Sequence, residues 1–149
     1  MGRNAGTRLR KSLHSPEVTI LPGAYSPAVA TMLEQLGFEG MFMPGSQTNI
    51  YEFGMPDIGL MSMREMVDAA RRVTAVSDLP VFMDGDTGWG NVLNVYRSVQ
   101  EAAWAGVAMM SIEDQEAPKK SGTSAGRRCI SQDEAIGKIR AAVAARNDA

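Results

Sequence analysis

The chain has 149 residues and is 44% hydrophobic, enough for one ordinary domain with a buried core. Its 15 Lys and Arg residues nearly balance its 17 Asp and Glu residues, so we expect neither a nucleic acid nor a membrane surface as partner. A single cysteine, Cys129, excludes an intramolecular disulfide and favours a cytoplasmic setting.

The first 15 residues, MGRNAGTRLRKSLHS, are basic and lack the apolar stretch of a secretory signal. Leu9 and Leu13 lie on one face of a helix, which predicts a short N-terminal helix within residues 7–15. An organelle transit peptide is the alternative interpretation of this segment.

Four short apolar runs predict the strands of a sheet. They cover residues 18–21, 40–43, 80–83 and 106–112. None of them alternates apolar with polar residues, which is typical of strands in a parallel sheet that is covered on both faces.

Helical segments separate these runs. Ser26 and Pro27 offer a cap and a first helical residue, and Gly37 can end that helix. Ser62 and Glu65 form the pattern of a capping box before the next amphipathic segment.

A last helix is predicted after Ser131, with Ile136, Ile139 and Val143 on its apolar face. One helix followed by four strand–helix units predicts an α/β fold with a parallel sheet. A doubly wound sheet and a (β/α)₈ barrel both agree with this order, although a barrel typically takes about 250 residues.

Polar residues follow the predicted strands, where parallel α/β proteins bind their ligands. The third strand runs into Asp84 and Asp86, and the fourth into Glu113. Two carboxylates held close repel each other unless a cation or proton lies between them, and an oxygen-only set suits Mg²⁺ or Mn²⁺. The alternative is that Asp84 and Asp86 only satisfy a turn or cap a helix, and spacing alone leaves both interpretations open.

A nucleotide-binding site is disfavoured, because the chain contains neither the GxGxxG nor the GK[ST] motif.

Five blocks of the sequence resemble the isocitrate lyase/phosphoenolpyruvate mutase superfamily. They are LPGAYSPAVATMLEQLGFEGMFMPG, MPDIGL, MDGDTGWGNVLNVYR, SIEDQEAPKKSG and GKIRAAVAAR. They follow in colinear order from about Thr7 to Arg146, so the resemblance covers nearly the whole chain.

The resemblance implies a (β/α)₈ TIM barrel, of which this chain would supply about the first four βα units as one incomplete domain over residues 1–149. It also implies Mg²⁺ (or Mn²⁺), a homo-oligomer such as a dimer or tetramer, and a small carboxylic-acid substrate. The activity would make or break a C–C or P–C bond of a 2-hydroxy or 2-oxo acid through a pyruvate enolate.

The resemblance also assigns roles to single residues. The metal ligands would be Asp84, Asp86 and, through water, Glu113. The substrate-binding residues would be Gly45, Ser46 and Asp84, and the catalytic residues would be Asp57, Lys119 and Ser121. Lys119 and Ser121 would lie on a loop that closes over the substrate.

The chain departs from the family at two of these places. Ser121 stands in the Lys-Lys-Ser-Gly-Thr segment where the lyase branch has a catalytic cysteine and the mutase branch an asparagine, and Pro44 replaces a serine and offers no N–H. The leading hypothesis is a Mg²⁺-dependent lyase-like enzyme. A 2-oxo acid hydrolase, decarboxylase or mutase is the alternative within the class, and a non-catalytic half-barrel acting through association is the alternative outside it.

Overall fold

A computed structural model describes residues 5–121 and 125–146. Its elements, in chain order, are α1 (Ala5–Leu13), α2 (Pro27–Gln35), β1 (Met41–Met43), α3 (Gly45–Phe53), α4 (Met63–Thr74), β2 (Val81–Asp84), α5 (Val92–Trp104), β3 (Met109–Ser111) and α6 (Gln132–Ala145). None of the described helices is long and apolar enough to cross a membrane.

The three strands form a parallel sheet in the order β1-β2-β3. Met41 pairs with Val81, and Phe82 pairs with Met109. Every second residue of β1 and β2 is fully buried, because helices pack over the sheet. The predicted parallel arrangement is therefore confirmed, with strands at residues 41–43, 81–84 and 109–111. The third strand is shorter than its apolar run and is only partly covered, since Met109 is 38% exposed.

The prediction of a strand at residues 18–21 is wrong. Val18 is 89% exposed and Ile20 is 64% exposed, and the chain joins the sheet only at Gly23, which forms an isolated parallel bridge with Phe42. Pro22 precedes this bridge, and proline has no N–H to donate to a ladder of hydrogen bonds. The first strand–helix unit therefore joins the sheet at Gly23, later in the chain than its apolar residues suggest, and through a single bridge.

The predicted helix starts are confirmed for α2 and α4. Ser26 caps α2 by accepting a hydrogen bond from the Val29 N–H at 3.5 Å. Ser62 and Glu65 form a complete capping box at α4, whose two halves satisfy backbone N–H groups that the helix leaves free. Such caps typically contribute about 1 kcal/mol each. The N-terminal helix is also present as α1, with Leu9 buried but Leu13 half exposed.

Helix α3 occupies a segment in which the sequence analysis predicted no helix. It begins after Pro44, whose side chain makes no capping bond, and it ends at Gly54 in the left-handed conformation. Its nine residues, GSQTNIYEF, show little apolar periodicity, so the usual sequence signal is missing.

Helix α6 begins after Ser131 as predicted, but its apolar face is exposed rather than packed against the core. Ile136, Ile139 and Val143 are 39%, 51% and 51% exposed. The buried residues are instead Lys138, Ala141 and Ala145. The helix packs against α5 through its small residues, and a Cβ on Gly137 would lie 3.3 Å from the Val92 side chain. The close approach of the two helices therefore selects the face with small side chains.

Candidate functional site

Three acidic side chains come together at the carboxyl ends of β2 and β3. One carboxylate oxygen each from Asp84, Asp86 and Glu113 lies within 4.8 Å of the others. Asp84 also accepts a hydrogen bond from the Asp86 N–H at 3.0 Å, so it supports the local turn as well. The hydrogen bond supports the turn interpretation, and the spacing of the three oxygens leaves the metal interpretation a prediction.

The backbone of the turn determines where Asp86 points. Asp86 has a φ of 46°, a left-handed conformation that aspartate adopts more readily than most residues. The turn lies so close to β3 that a Cβ on Gly85 would be 2.3 Å from the Ser111 carbonyl oxygen. The Glu113 N–H donates to the Asp86 carbonyl at 2.7 Å, which ties the turn to the end of β3. Only glycine fits at position 85.

A lysine joins this acidic group from another part of the chain. The Lys119 Nζ lies 2.8 Å from the Asp57 carboxylate and forms a second ion pair with Asp86. The Lys119 side chain is 4% exposed, and those of Asp57 and Asp86 are 18% and 6% exposed. The sequence analysis placed Lys119 on a closing loop; in the structure its side chain is buried between two carboxylates.

Burial and these ion pairs shift two pKa values. Desolvation raises the pKa of Asp86, with further contributions from Asp84 and Asp57, while the Lys119 ion pair opposes the shift. Burial alone would lower the pKa of Lys119, but its bonds to Asp57 and Asp86 outweigh burial and raise it. Lys119 is therefore a firm cation at neutral pH.

The N-terminus of α3 faces the same group. The Gly45 N–H donates to the Asp84 carboxylate at 3.1 Å, an arrangement that a helix N-terminus favours. Gly45 is buried and Ser46 is half buried. The backbone amide of Gly45 is thus already engaged by Asp84.

Replacement of Gly45 by alanine should disturb the acidic group without unfolding the chain. The new Cβ would lie 2.9 Å from an Asp84 carboxylate oxygen, so that carboxylate must move. We expect the Mg²⁺ affinity measured by calorimetry to fall about tenfold, the scale seen for residues that support a metal ligand. Gly6→Ala in α1 is the control, because its Cβ would meet only the Ala108 carbonyl oxygen at 3.5 Å, an ordinary contact. An unchanged affinity in G45A would contradict the expectation.

A cleft of about 480 Å³ opens beside Asp86 and Lys119. Leu60, Met61, Trp89 and Pro118 are among the residues that line it. This size and mixture of apolar walls with few charged groups is typical of small-molecule sites. Ser121 is half buried and is not among the described lining residues, and Gly122 and Thr123 lie outside the described residues.

The structure adds Gln115 to the residues proposed from the sequence. Its amide nitrogen donates to the Glu113 carboxylate at 2.7 Å, and its amide oxygen accepts from the Lys120 N–H at 2.7 Å. Gln115 therefore links the acidic group to the segment that carries Lys119. Its position two residues after Glu113 was the available sequence signal, because alternate residues of an extended chain point the same way.

The donor set fits a hard divalent cation. All three acidic side chains offer oxygen, the ligand type that Mg²⁺ and Mn²⁺ prefer, and none of the ligand atoms is sulfur or imidazole nitrogen. The fold and this site together define an α/β protein with a candidate metal site at the carboxyl ends of a parallel sheet.

Comparison with known proteins identifies the family of this chain. The family model described as phosphoenolpyruvate phosphomutase matches residues 9–149. The chain is 40% identical over 140 residues to 2,3-dimethylmalate lyase of Eubacterium barkeri, a match that covers 94% of this chain and 48% of that protein.

Two solved structures show the same likeness in three dimensions. A crystal structure of 2,3-dimethylmalate lyase, a PEP mutase/isocitrate lyase superfamily member, has a TM-score of 0.88 at 35% identity and covers 95% of this chain and 48% of that one. Phosphonopyruvate hydrolase in complex with oxalate and Mg²⁺ has a TM-score of 0.86 at 31% identity and covers 97% of this chain and 49% of that one.

The chain belongs to the phosphoenolpyruvate phosphomutase family, within the isocitrate lyase/phosphoenolpyruvate mutase superfamily. Its fold is of the (β/α)₈ TIM-barrel type, which the order of elements had left open against a doubly wound sheet. The chain spans about half the length of the curated relatives it matches. Its described residues contain three of the four predicted strands, and an isolated bridge at Gly23 stands in place of the first.

Proposed function

We propose that the chain carries the metal site of a Mg²⁺-dependent lyase-like enzyme. The enzyme would cleave or form a C–C bond of a small 2-hydroxy or 2-oxo (di)carboxylic acid through a pyruvate enolate. The observation that carries this proposal is the convergence of Asp84, Asp86 and Glu113 near a cleft of small-molecule size. The likeness to a lyase of a small dicarboxylate supports it.

In this proposal Asp84 and Asp86 hold the cation and Glu113 completes the set through water. A bound divalent cation would supply positive charge against the oxygens of the substrate. Gln115 would keep the Glu113 carboxylate in place, as it does through its hydrogen bond in the structure. Ligand orientation of this kind commonly governs metal affinity.

Lys119 and Asp57 would act on the substrate side of the site. The Lys119 ammonium is buried, carries a raised pKa and lies at the wall of the cleft, so it would attract an anionic substrate and stabilise negative charge. Asp57 would hold that ammonium in position at 2.8 Å. Gly45 and Ser46 would border the substrate carboxylate at the N-terminus of α3. Ser121 would need a base beside it to act in proton transfer.

A thermal unfolding titration tests the proposal. Mg²⁺ together with oxalate should raise the unfolding temperature, because a ligand present at 100 times its Kd stabilises the folded state by about 2.7 kcal/mol. Oxalate is chosen because it mimics a pyruvate enolate and is bound with Mg²⁺ in the related hydrolase. Oxalate with a chelator is the control. A folded chain whose unfolding temperature does not move would contradict the proposed metal site.

A non-catalytic half-barrel is the second candidate, and the exposed apolar face of α6 favours it. Ile136, Ile139 and Val143 present this face to solvent within the described residues. A homo-oligomer is the expected partner state under either candidate. Sedimentation combined with turnover assays on 2-hydroxy and 2-oxo acids separates the two, because the second candidate predicts association without turnover. The same assays distinguish lyase from hydrolase, decarboxylase or mutase by their products.

A further inference from the structure

Helix α6 contains a buried lysine that the proposed function leaves unexplained. The Lys138 side chain is 5% exposed, although lysine is rarely buried unless it is paired. Its Nζ donates a hydrogen bond to the Thr87 carbonyl oxygen at 3.1 Å. The Glu134 carboxylate is 3.6 Å away and 47% exposed, so it is a weak partner. The main partner of this buried charge is therefore a backbone carbonyl.

That carbonyl belongs to the turn that carries Asp86. The carbonyls of residues 86–88 each face a donor from a different part of the chain. The Glu113 N–H after β3 binds the first at 2.7 Å, and Lys138 on α6 binds the second. The Ser98 hydroxyl on α5 lies 3.4 Å from the third, but its shorter bond of 2.8 Å goes to the Asn94 carbonyl. Lys138 is the one charged donor of these three, and charged donors make the stronger hydrogen bonds.

The turn needs such support, because the φ of Asp86 is 46° and Trp89 also has a positive φ of 58°. Non-glycine residues persist in this region only when their surroundings hold them there. A shift of this backbone would move the Asp86 carboxylate relative to the other two acidic side chains.

Stability alone does not account for a charge at position 138. A methionine could bury a stem of similar length, and replacing buried charges by well-packed apolar side chains is often neutral or stabilising. The charged ammonium of Lys138 is instead explained by its hydrogen bond to the Thr87 carbonyl.

We propose that Lys138 is a positioning residue that fixes the turn bearing Asp86 and thereby sets the affinity of the acidic group for a divalent cation. The inference depends on the proposed function, because it assumes that Asp86 is a metal ligand. It connects α6, which follows the segment carrying Lys119, to the geometry of the metal site.

Mg²⁺ titration calorimetry on the 149-residue chain tests the inference. We expect K138M to raise the Kd for Mg²⁺ about 10- to 100-fold, as for other residues that orient a metal ligand. K138R keeps a charged donor and should stay within about threefold of wild type, since a guanidinium can also donate to a carbonyl. R140M is the matched control: Arg140 is exposed, lies two residues further along α6, and should leave the Kd unchanged.

Each outcome decides between the hypotheses. A folded K138M chain with the wild-type Kd overturns the inference and leaves the proposed function standing. Wild-type protein that does not bind Mg²⁺ overturns both. K138R as weak as K138M also overturns the inference, because the donor would then not matter.

Hydrogen exchange in the wild-type chain decides the case in which K138M does not fold. The Gly88 N–H is protected by its hydrogen bond to the Gly85 carbonyl at 2.8 Å. If Lys138 couples the turn to α6, this amide should exchange with the same opening free energy as the buried amides of α6. Opening of the turn independently of α6 would overturn the inference.

Discussion

Replacement of Asp86 by asparagine should lower the Mg²⁺ affinity about 100-fold or more and remove any metal-dependent turnover. The change takes away one of the three converging carboxylates. Residues that merely orient a ligand already account for 10- to 100-fold effects, so the loss of a ligand should exceed them. Asparagine is chosen because it tolerates the left-handed backbone at this position and isolates the effect of charge. Calorimetric titration with Mg²⁺ gives the result directly.

The fold should survive this change. Lys119 keeps its ion pair with Asp57 at 2.8 Å. The asparagine amide is neutral, so the variant also avoids the cost of burying a carboxylate, the same cost that raises the pKa of Asp86. The matched control is D114N, which removes an exposed carboxylate next to Glu113 that is outside the acidic group. D86N with wild-type affinity, or D114N with an equal loss, would show that the acidic group is not the metal site.

Replacement of Lys119 by methionine should destabilise the chain by about 3–5 kcal/mol, the usual effect of removing one partner from a buried ion pair. The variant would leave the partly buried Asp57 and the buried Asp86 with no cation between them, and Asp86 would still lie close to Asp84. Part of the repulsion would be relieved by proton uptake, because the pKa of Asp86 is already raised and would rise further. Urea denaturation followed by circular dichroism measures the free energy of unfolding.

Mg²⁺ should restore more stability to K119M than to the wild-type chain, since the divalent ion supplies the missing positive charge. K120M is the control: the neighbouring side chain is exposed and donates to the Gly126 carbonyl, so its loss should change stability by less than about 0.5 kcal/mol. A K119M chain within 1 kcal/mol of wild type, on the order of one exposed ion pair, would show that Lys119 does not neutralise the acidic group.

The acidic part of the site could be predicted from the sequence because its residues lie at the ends of neighbouring strands. Asp84 ends β2 and Glu113 follows β3, and these two strands pair directly, with Asp84 opposite Ser111. Parallel strands bring their carboxyl ends to one edge, so polar residues that follow them must meet there. The sequence therefore predicted the convergence of the acidic side chains from strand order alone.

The contacts of site residues that lie in loops could not be predicted in the same way. Lys119 lies 33 residues from Asp86 along the chain, in a segment without an apolar pattern, and only the tertiary structure brings the two together. The family resemblance named Lys119 but not its burial between two carboxylates. Metal binding by the acidic group and the roles of Asp57, Ser46 and Ser121 stay predictions.

The helices show where apolar pattern and packing disagree. On α4, the amphipathic segment predicted after the capping box, the apolar residues Met66, Val67 and Val73 are buried because the helix covers the sheet. On α6 the apolar face points outward and Lys138 points inward, because close contact with α5 requires small residues and the turn requires a donor. The periodicity of a sequence shows which face of a helix is apolar. It does not show which face can pack against the neighbouring elements.

The position of Trp89 gives the cleft an intrinsic optical probe. Its indole N–H donates to the Met61 carbonyl at 3.1 Å, and its ring lies at the wall of the cleft. The chain has two tryptophans, and the other, Trp104, is 57% exposed on α5. In a chain carrying W104F, all tryptophan emission would therefore come from the cleft, so that ligand entry could be followed as a change in selectively excited tryptophan fluorescence without any attached dye.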